Sequence, residues 1–509
     1  MARKSVSLKF LDKIENSVNK LPDPFYLFII LSFIVIIASW LGSIFQISVI
    51  HPGNGQKVEI VNLANYEGIR RMLTDAVRNF IEFPPLGLVL VTMLGVGVAD
   101  RVGLLNVGLT AIIKIVPRWS ATAVLVFTSV LSHIMGDACV VIMPAVGAVL
   151  FAGLGKHPIA GLTAAFTGAC GGLSANVILT AIDPLLSGFT DSAAKLLDSS
   201  YNVYPTANFY FMFVSTFVVT AVGTVITHTI VEPRLGKWNP PEKLKESDYV
   251  IKAISNDEKR GLLLSILTFL VLLILLLIAI IPENGLLRDG NGNLKPFYQS
   301  IIVLIMIFFL IMGVVFGMAS KSLKSGNDLV KILADSIASM SSYVVLAFAA
   351  AQFLAYFNWS NLGLVLAVKG ATFLQDIGLN GIWLLLSFIF FSMFINFFVT
   401  SASAKWAVIS PVFVPMMMIL GFAPETTQAA FRIADSTTNI ITPLLPYFPI
   451  ILVIAKKYDP SITLGRLISI LFPYSLTLAV VWIVVFIIFI LLSIPLGPDT
   501  NIFYNLIRK

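Results

Sequence analysis

The feature that most constrains this 509-residue chain is a polar, interrupted membrane segment that occurs twice, once in each half. The first copy reads GDACVVIMPAVG from Gly136, then Lys156-His157-Pro158, then AAFTGACGGLSANVILTAIDPLL from Ala164. The second reads SAKWAVISPVFV from Ser403, then Ala423-Pro424, then AAFRIADSTTNIITPLL from Ala429. Pro144 matches Pro411, Pro158 matches Pro424 and Asn176 matches Asn439. Gly, Ser, Thr, Asn and Asp here interrupt stretches otherwise apolar enough for lipid. Broken backbone at that depth is tolerated only where it faces protein or a water-filled cavity. Duplicated discontinuous segments of this kind point to a transporter's binding site.

With 57% hydrophobic and 12% charged residues, the chain is an all-α polytopic membrane protein. The apolar runs are continuous rather than alternating, which excludes a β-barrel. The first run, Phe25 to Phe45, lacks a small-residue cleavage site and reads as a retained span. Cys139 and Cys170 both fall in membrane segments, so neither a disulfide framework nor a Cys-type zinc site is expected. The net charge of +7 reflects orientation, not a nucleic-acid surface. Lys and Arg cluster at Arg3 to Lys20, Arg101 to Arg118, Lys156, Arg234 to Arg260, Lys321 to Lys331 and Lys456 to Arg466, all on one side of the topology below.

Taking residues 1–24 as cytoplasmic, nine transmembrane helices and two re-entrant hairpins fit the pattern. The first half, 25–231, contains a hairpin at 120–153 that opens to the cytoplasm and a broken span at 158–186. A basic linker, 232–260, separates it from the second half, 261–509, with an outward-opening hairpin at 382–420 and a broken span at 426–455. The two halves form an inverted repeat. The expected breaks are Gly168 to Asn176 and Asp435 to Asn439.

Four polar clusters are expected to line one cavity: Ser132, His133 and Asp137; Gly171, Gly172, Ser174 and Asn176; Asn396, Thr400, Ser401 and Ser403; and Asp435 to Asn439. Arg432, Asp435 and Asn439 share a helical face, so Arg432 and Asp435 are expected to neutralise one another. That arrangement leaves two readings open: a pair that only locks helices, or an Arg432 fork offered to a substrate carboxylate with Asp435 supporting it or coupling an ion. Asp183 has no basic neighbour in sequence and is either a proton carrier or part of a local Asp-Pro turn. Trp406 either stacks on an aromatic substrate or packs in the core. GLGKHP lacks the phosphate-loop pattern, and His133 with Asp137 is too small a ligand set for a metal. No cofactor is expected; Na+ or H+ is the candidate coupling ion, unless the substrate's own gradient drives movement. An intramembrane aspartyl protease and a channel are rival classes, disfavoured by unequal acid placement and by hairpins entering from both faces.

FPPLGLVLVTMLGVGVADRVGLL from Phe83, GACGGLSANVILTAIDPLLSG from Gly168, SASAKWAVISPVFVPM from Ser401 and APETTQAAFRIADSTTNIITPLLPYFP from Ala423 resemble the p-aminobenzoyl-glutamate transporter family, AbgT. The resemblance covers nearly the whole chain. It implies a homodimer in the bacterial inner membrane whose mobile domain holds the hairpins. It also implies an anionic small-molecule substrate, p-aminobenzoyl-glutamate or sulfonamide antimetabolites, moved on a proton or sodium gradient. The positions it marks are Asp183, Asn396, Trp406, Pro424, Arg432 and Asp435. A di- or tricarboxylate carrier of related architecture is the nearest alternative, with less use for Trp406.

Overall fold

The computed structural model describes residues 24–52, 55–115, 117–238, 254–443, 445 and 447–505. The segment Arg3 to Lys20, most of the 232–260 linker, and the side chains of Lys114, Arg118 and Asp137 lie outside the described residues.

Helix α1 (Pro24–Ile44) leads through a two-stranded antiparallel ribbon, β1 (Ser48–Ile50) and β2 (Lys57–Glu59), to an amphipathic helix α2 (Tyr66–Ile81) and then α3 (Pro84–Arg101). After α4 (Leu104–Ile115) comes the first hairpin, α5 (Ala121–Leu131) and α6 (Cys139–Gly153). Its tip is a 3-10 turn in which Gly136 adopts φ 63°, a left-handed conformation that disfavours side chains with a Cβ. The first broken span is α7 (Pro158–Gly171) and α8 (Ile182–Ala194), and α9 (Phe209–Ile226) closes the half.

The second half contains α10 (Asn256–Ile280), α11 (Lys295–Ala319), α12 (Gly326–Ala338), α13 (Ser341–Trp359) and α14 (Leu362–Asp376). The second hairpin is α15 (Gly381–Asn396) and α16 (Ala402–Ile419). The second broken span is α17 (Pro424–Asn439) and α18 (Phe448–Tyr458), followed by α19 (Leu464–Leu491). The expected span Asp335 to Tyr356 is in fact two helices, α12 and α13, separated at Ser339 and Met340.

Among the described residues, eight helices are long and apolar enough to cross a membrane, or nine if the bent pair α14–α15 is counted as one. Seven of the eight stand as single continuous helices outside the hairpins. The eighth, α16, is a hairpin arm, while each broken span is made of halves too short to cross the hydrocarbon alone, 14 and 13 residues in one and 16 and 11 in the other. Seven continuous and two broken spans give the nine of the sequence pattern. Five of them, α7–α8, α9, α10, α11 and α13, separate the hairpins, and an odd number of crossings makes the hairpins open to opposite faces. Side chains such as Leu267, Val271, Ile274 and Ile278 on α10 are exposed, as hydrocarbon permits.

Both breaks lie further along the chain than the polar runs suggest. Gly168 to Gly171 remains helical, and the unwound stretch runs from Gly172 to Ala181. Asp435 to Asn439 is helical as well, with the chain unwinding only after Asn439, toward Pro443. Both broken spans start with Pro at the first helical position, where its missing N–H costs nothing; His157 caps α7 by accepting from Ile159 N.

Helices α1, α2 and α13 pack together, as do α3, α10, α11 and α12. The hairpins and broken spans pack among themselves, and the two groups meet chiefly where α3 lies on α8. The first hairpin is joined to its broken span by α6 against α7, where Gly147 and Gly161 face one another. A Cβ on either would overlap the other's carbonyl oxygen. Gly161→Leu is therefore expected to destabilise the protein by about 1–3 kcal/mol or more. Thermal melting of the purified protein checks this, and an unchanged midpoint would show that the helices separate at no cost.

Candidate functional site

A cavity of about 700 Å³ sits where the two hairpins and the two broken spans converge. The first hairpin contributes His133 to Gly136 and the second Thr400 to Ser403. The first break contributes Cys170, Leu173, Ala181 and Ile182, and the second Asn439, Leu445 and Tyr447. The remaining wall comes from α3, including Met93, Gly97 and Asp100, and from the α12–α13 junction, including Ser336, Ser339 and Tyr343. Arg101, exposed at the end of α3, marks the mouth; its Nη2 donates to the Asp335 carbonyl at 2.8 Å.

The second hairpin tip is a helix start. Ser401 caps α16 by accepting from Ala404 N at 3.3 Å, and its hydroxyl lies 3.2 Å from that of Ser403. The first turn of α16 therefore presents the positive end of a helix, with two hydroxyls, to the cavity.

Of the residues marked in sequence, His133, Thr400, Ser401, Ser403 and Asn439 line the cavity. Ser174 and Asn176 are fully buried beside it: Asn176 Nδ2 donates to the Val130 carbonyl at 3.1 Å, and the Ser174 hydroxyl has no hydrogen-bond partner. Asn396, Trp406, Arg432, Asp435 and Asp183 are buried outside the lining, and Pro424, also buried, begins α17 at the end away from Asn439.

The charge pairing differs from the one expected. Arg432 does not neutralise Asp435. Its Nη2 donates to Asp183 Oδ1, which crosses from one repeat to the other, and its Nη1 points to Met212 Sδ at 2.6 Å. Asp183 thus has a basic partner, but one 249 residues away. Its second oxygen accepts from Thr180 N at 2.6 Å and Thr180 Oγ1 at 3.1 Å, securing the start of α8.

Asp435 is paired instead with Lys405, at 2.5 Å, both essentially without solvent exposure. Lys405 Nζ also donates to Asn396 Oδ1, and Asn396 Nδ2 reaches Thr438 Oγ1 at 2.6 Å and Asn439 Oδ1 at 2.8 Å. Asn439 Nδ2 returns to Asp435 Oδ2 at 3.0 Å. This closed network ties both arms of the second hairpin to the end of α17, and one member, Asn439, reaches the cavity. Sequence reasoning passed over Lys405, although a lysine in SASAKWAVIS is an intramembrane charge and by default a functional candidate. Trp406 takes the core arrangement: it stacks on Phe431 at 4.5 Å between ring centroids, and its Nε1 donates to Thr190 Oγ1 at 2.9 Å.

The family model described as the AbgT putative transporter family matches residues 9–504. The chain belongs to the AbgT family. It is 36% identical over 497 residues to the p-aminobenzoyl-glutamate transport protein of Escherichia coli (strain K12), covering 97% of each. The YdaH transporter of Alcanivorax borkumensis, described as having an unusual topology, superposes with a TM-score of 0.89 at 37% identity, over 94% of this chain and 100% of that one. Neisseria gonorrhoeae MtrF, described among a class of antimetabolite efflux pumps, gives a TM-score of 0.89 at 40% identity, over 96% and 100%. The AbgT protein is accordingly a multi-pass membrane transporter and not an enzyme.

Removing one partner of a buried ion pair leaves the other charged in a low-dielectric site. Lys405→Met in this AbgT protein is therefore expected to cost about 3–5 kcal/mol. Adding Asp435→Asn should recover most of that loss in thermal melts, whereas additive losses would show that the two groups do not interact.

Proposed function

We propose that this AbgT protein is a secondary active transporter of p-aminobenzoyl-glutamate or related anionic antimetabolites such as sulfonamides. It works as a homodimer in a bacterial inner membrane, coupled to a proton or sodium gradient. The observation that supports this reading is the convergence of both hairpin tips and both broken spans on one cavity. Its volume lies within the roughly 300–1,000 Å³ of small-molecule sites.

In this reading the substrate carboxylates lie at the start of α16. There Ser401, Ser403 and unpaired main-chain N–H groups favour negative charge. Asn439 touches the substrate from the second break. The Arg432–Asp183 and Lys405–Asp435 pairs act from behind, holding α8, α16 and α17 as one unit. Trp406, bonded to Thr190 on α8, belongs to the same unit. The hairpins and broken spans then shift together against α3 and α13, in an elevator-like step that moves the cavity from one face to the other.

Proteoliposomes containing the purified protein are expected to move labelled p-aminobenzoyl-glutamate when a proton or a sodium gradient is imposed separately. Ser403→Trp, which fills the space between the hairpin tips, should abolish that flux while leaving the melting temperature near that of the parent. Absence of flux under either gradient would overturn this reading, and normal flux through Ser403→Trp would remove the hairpin tips from the substrate path.

A further inference from the structure

Helix α17 carries Glu425, Gln428, Arg432, Asp435 and Asn439 at successive steps of three and four residues, so all five share one face, and all are buried. The stripe starts at Glu425 in the first turn and ends at Asn439 on the cavity, about 21 Å away at 1.5 Å per residue. Its members are tied to the other elements along the way. Gln428 accepts from Thr190 Oγ1 on α8 at 2.5 Å and donates to Asn208 Oδ1 at the start of α9 at 2.9 Å. Asn208 Nδ2 in turn donates to the Glu425 carbonyl at 2.9 Å.

Among the described residues, the fully buried acids are Asp183, Asp435 and Glu425. Arg432 neutralises the first and Lys405 the second. The Glu425 carboxylate forms no salt bridge among the described residues; its side-chain partner is the Tyr201 hydroxyl, which donates to Oε2 at 2.9 Å. The titratable groups that influence it are Asp191 on α8, Tyr201 and Asp198 on the α8–α9 connection, and Asp499 and Tyr504 in the C-terminal segment; the nearby cation, Lys195, is paired with Asp191 at 2.5 Å and not with Glu425. A buried carboxylate without a countercharge takes up a proton at far lower cost than one held by a guanidinium or an ammonium.

We infer that Glu425, and not Asp183, is the proton-loading carboxyl of this transporter. Resting on the transport reading above, this assigns protons a site at the end of α17 remote from the cavity. The carboxylate takes one proton from water through the half-buried Tyr201 contact and becomes a neutral acid. That proton returns to water when α17 has shifted to the opposite arrangement. The two ion pairs further along the stripe, Arg432–Asp183 and Lys405–Asp435, each match one cation with one acid.

Glu425→Gln keeps the size of the side chain and an oxygen for Tyr201 to donate to, and removes only the titration. Infrared titration of the purified protein reads the buried carboxylic acid directly, and proteoliposome flux of p-aminobenzoyl-glutamate against pH reads its use. The expected result is a titrating carboxylic C=O band in the parent that Glu425→Gln lacks, with loss of the pH dependence of flux. Tyr201→Phe should move the midpoint to higher pH, because the charged carboxylate loses its donor. A band that persists in Glu425→Gln, or a flux profile identical to the parent's, overturns the assignment. The infrared arm decides whether Glu425 titrates even if the parent moves no substrate, a result that would instead sink the transport reading and the coupling role with it.

Discussion

Main-chain groups left without partners in the middle of a bilayer have to be met by protein or by enclosed water, and the rest of this molecule is organised around that requirement. In the first copy the unwound stretch after Gly171 is anchored by Asn176, whose amide holds the Val130 carbonyl at the end of the first hairpin arm. In the second, Asn396 at the end of the corresponding arm reaches the Asp435 carbonyl and the Asn439 side chain. The two copies thus solve the same problem with the asparagine on opposite partners. Each hairpin covers the break of its own copy, and the space left between the two units is the cavity.

The copies differ in charge, and the difference is ordered. The second copy carries Lys405, Arg432 and Asp435, while the first supplies the single acid Asp183. One pair closes within the second copy and locks hairpin to broken span. The other closes between copies and locks α17 to α8. Two buried ion pairs are weak evidence for stability, since desolvation offsets most of the Coulomb gain, but breaking either is costly. Their effect is to tie α8, α16 and α17 to one another, as the proposed shift of these elements in one body would require.

How much of this was legible in the chain follows from the range of the interactions. Spans, hairpins and the repeat depend on local hydropathy and on Pro and Gly punctuation, so Pro144, Pro158, Pro411 and Pro424 stood out without a structure. The pairing of Arg432 did not. Its spacing from Asp435 suggested a local partner, but side chains three apart on a helix compete with whatever packs against that face, and Asp183 approaches from the other repeat. The break positions were misjudged for a related reason. Polar residues from Asp435 to Asn439 looked like a disrupted helix, yet Asn396 and Lys405 satisfy Asp435, Thr438 and Asn439, Thr437 bonds back to the Ile433 carbonyl, and the helix stays intact up to the approach to Pro443. Glu425 was hidden by its place at a predicted helix start, where an acid is ordinary, and only its burial against Tyr201 sets it apart.

A unit that carries charge through hydrocarbon must either neutralise it or keep it in water, and around the α17 stripe two of the three buried acids are neutralised. With Arg432 bound to Asp183 and Lys405 to Asp435, the helix can change position without exposing a net charge to lipid at those levels. Glu425 is the remaining acid: in the proposed cycle its charged form would favour the arrangement in which the Tyr201 hydroxyl donates to it, and its protonated form would not. In the proposed transport cycle, a single proton at one end of the helix would bias the position of the whole unit, including Asn439 at the cavity, because the intervening side chains are bonded to one another.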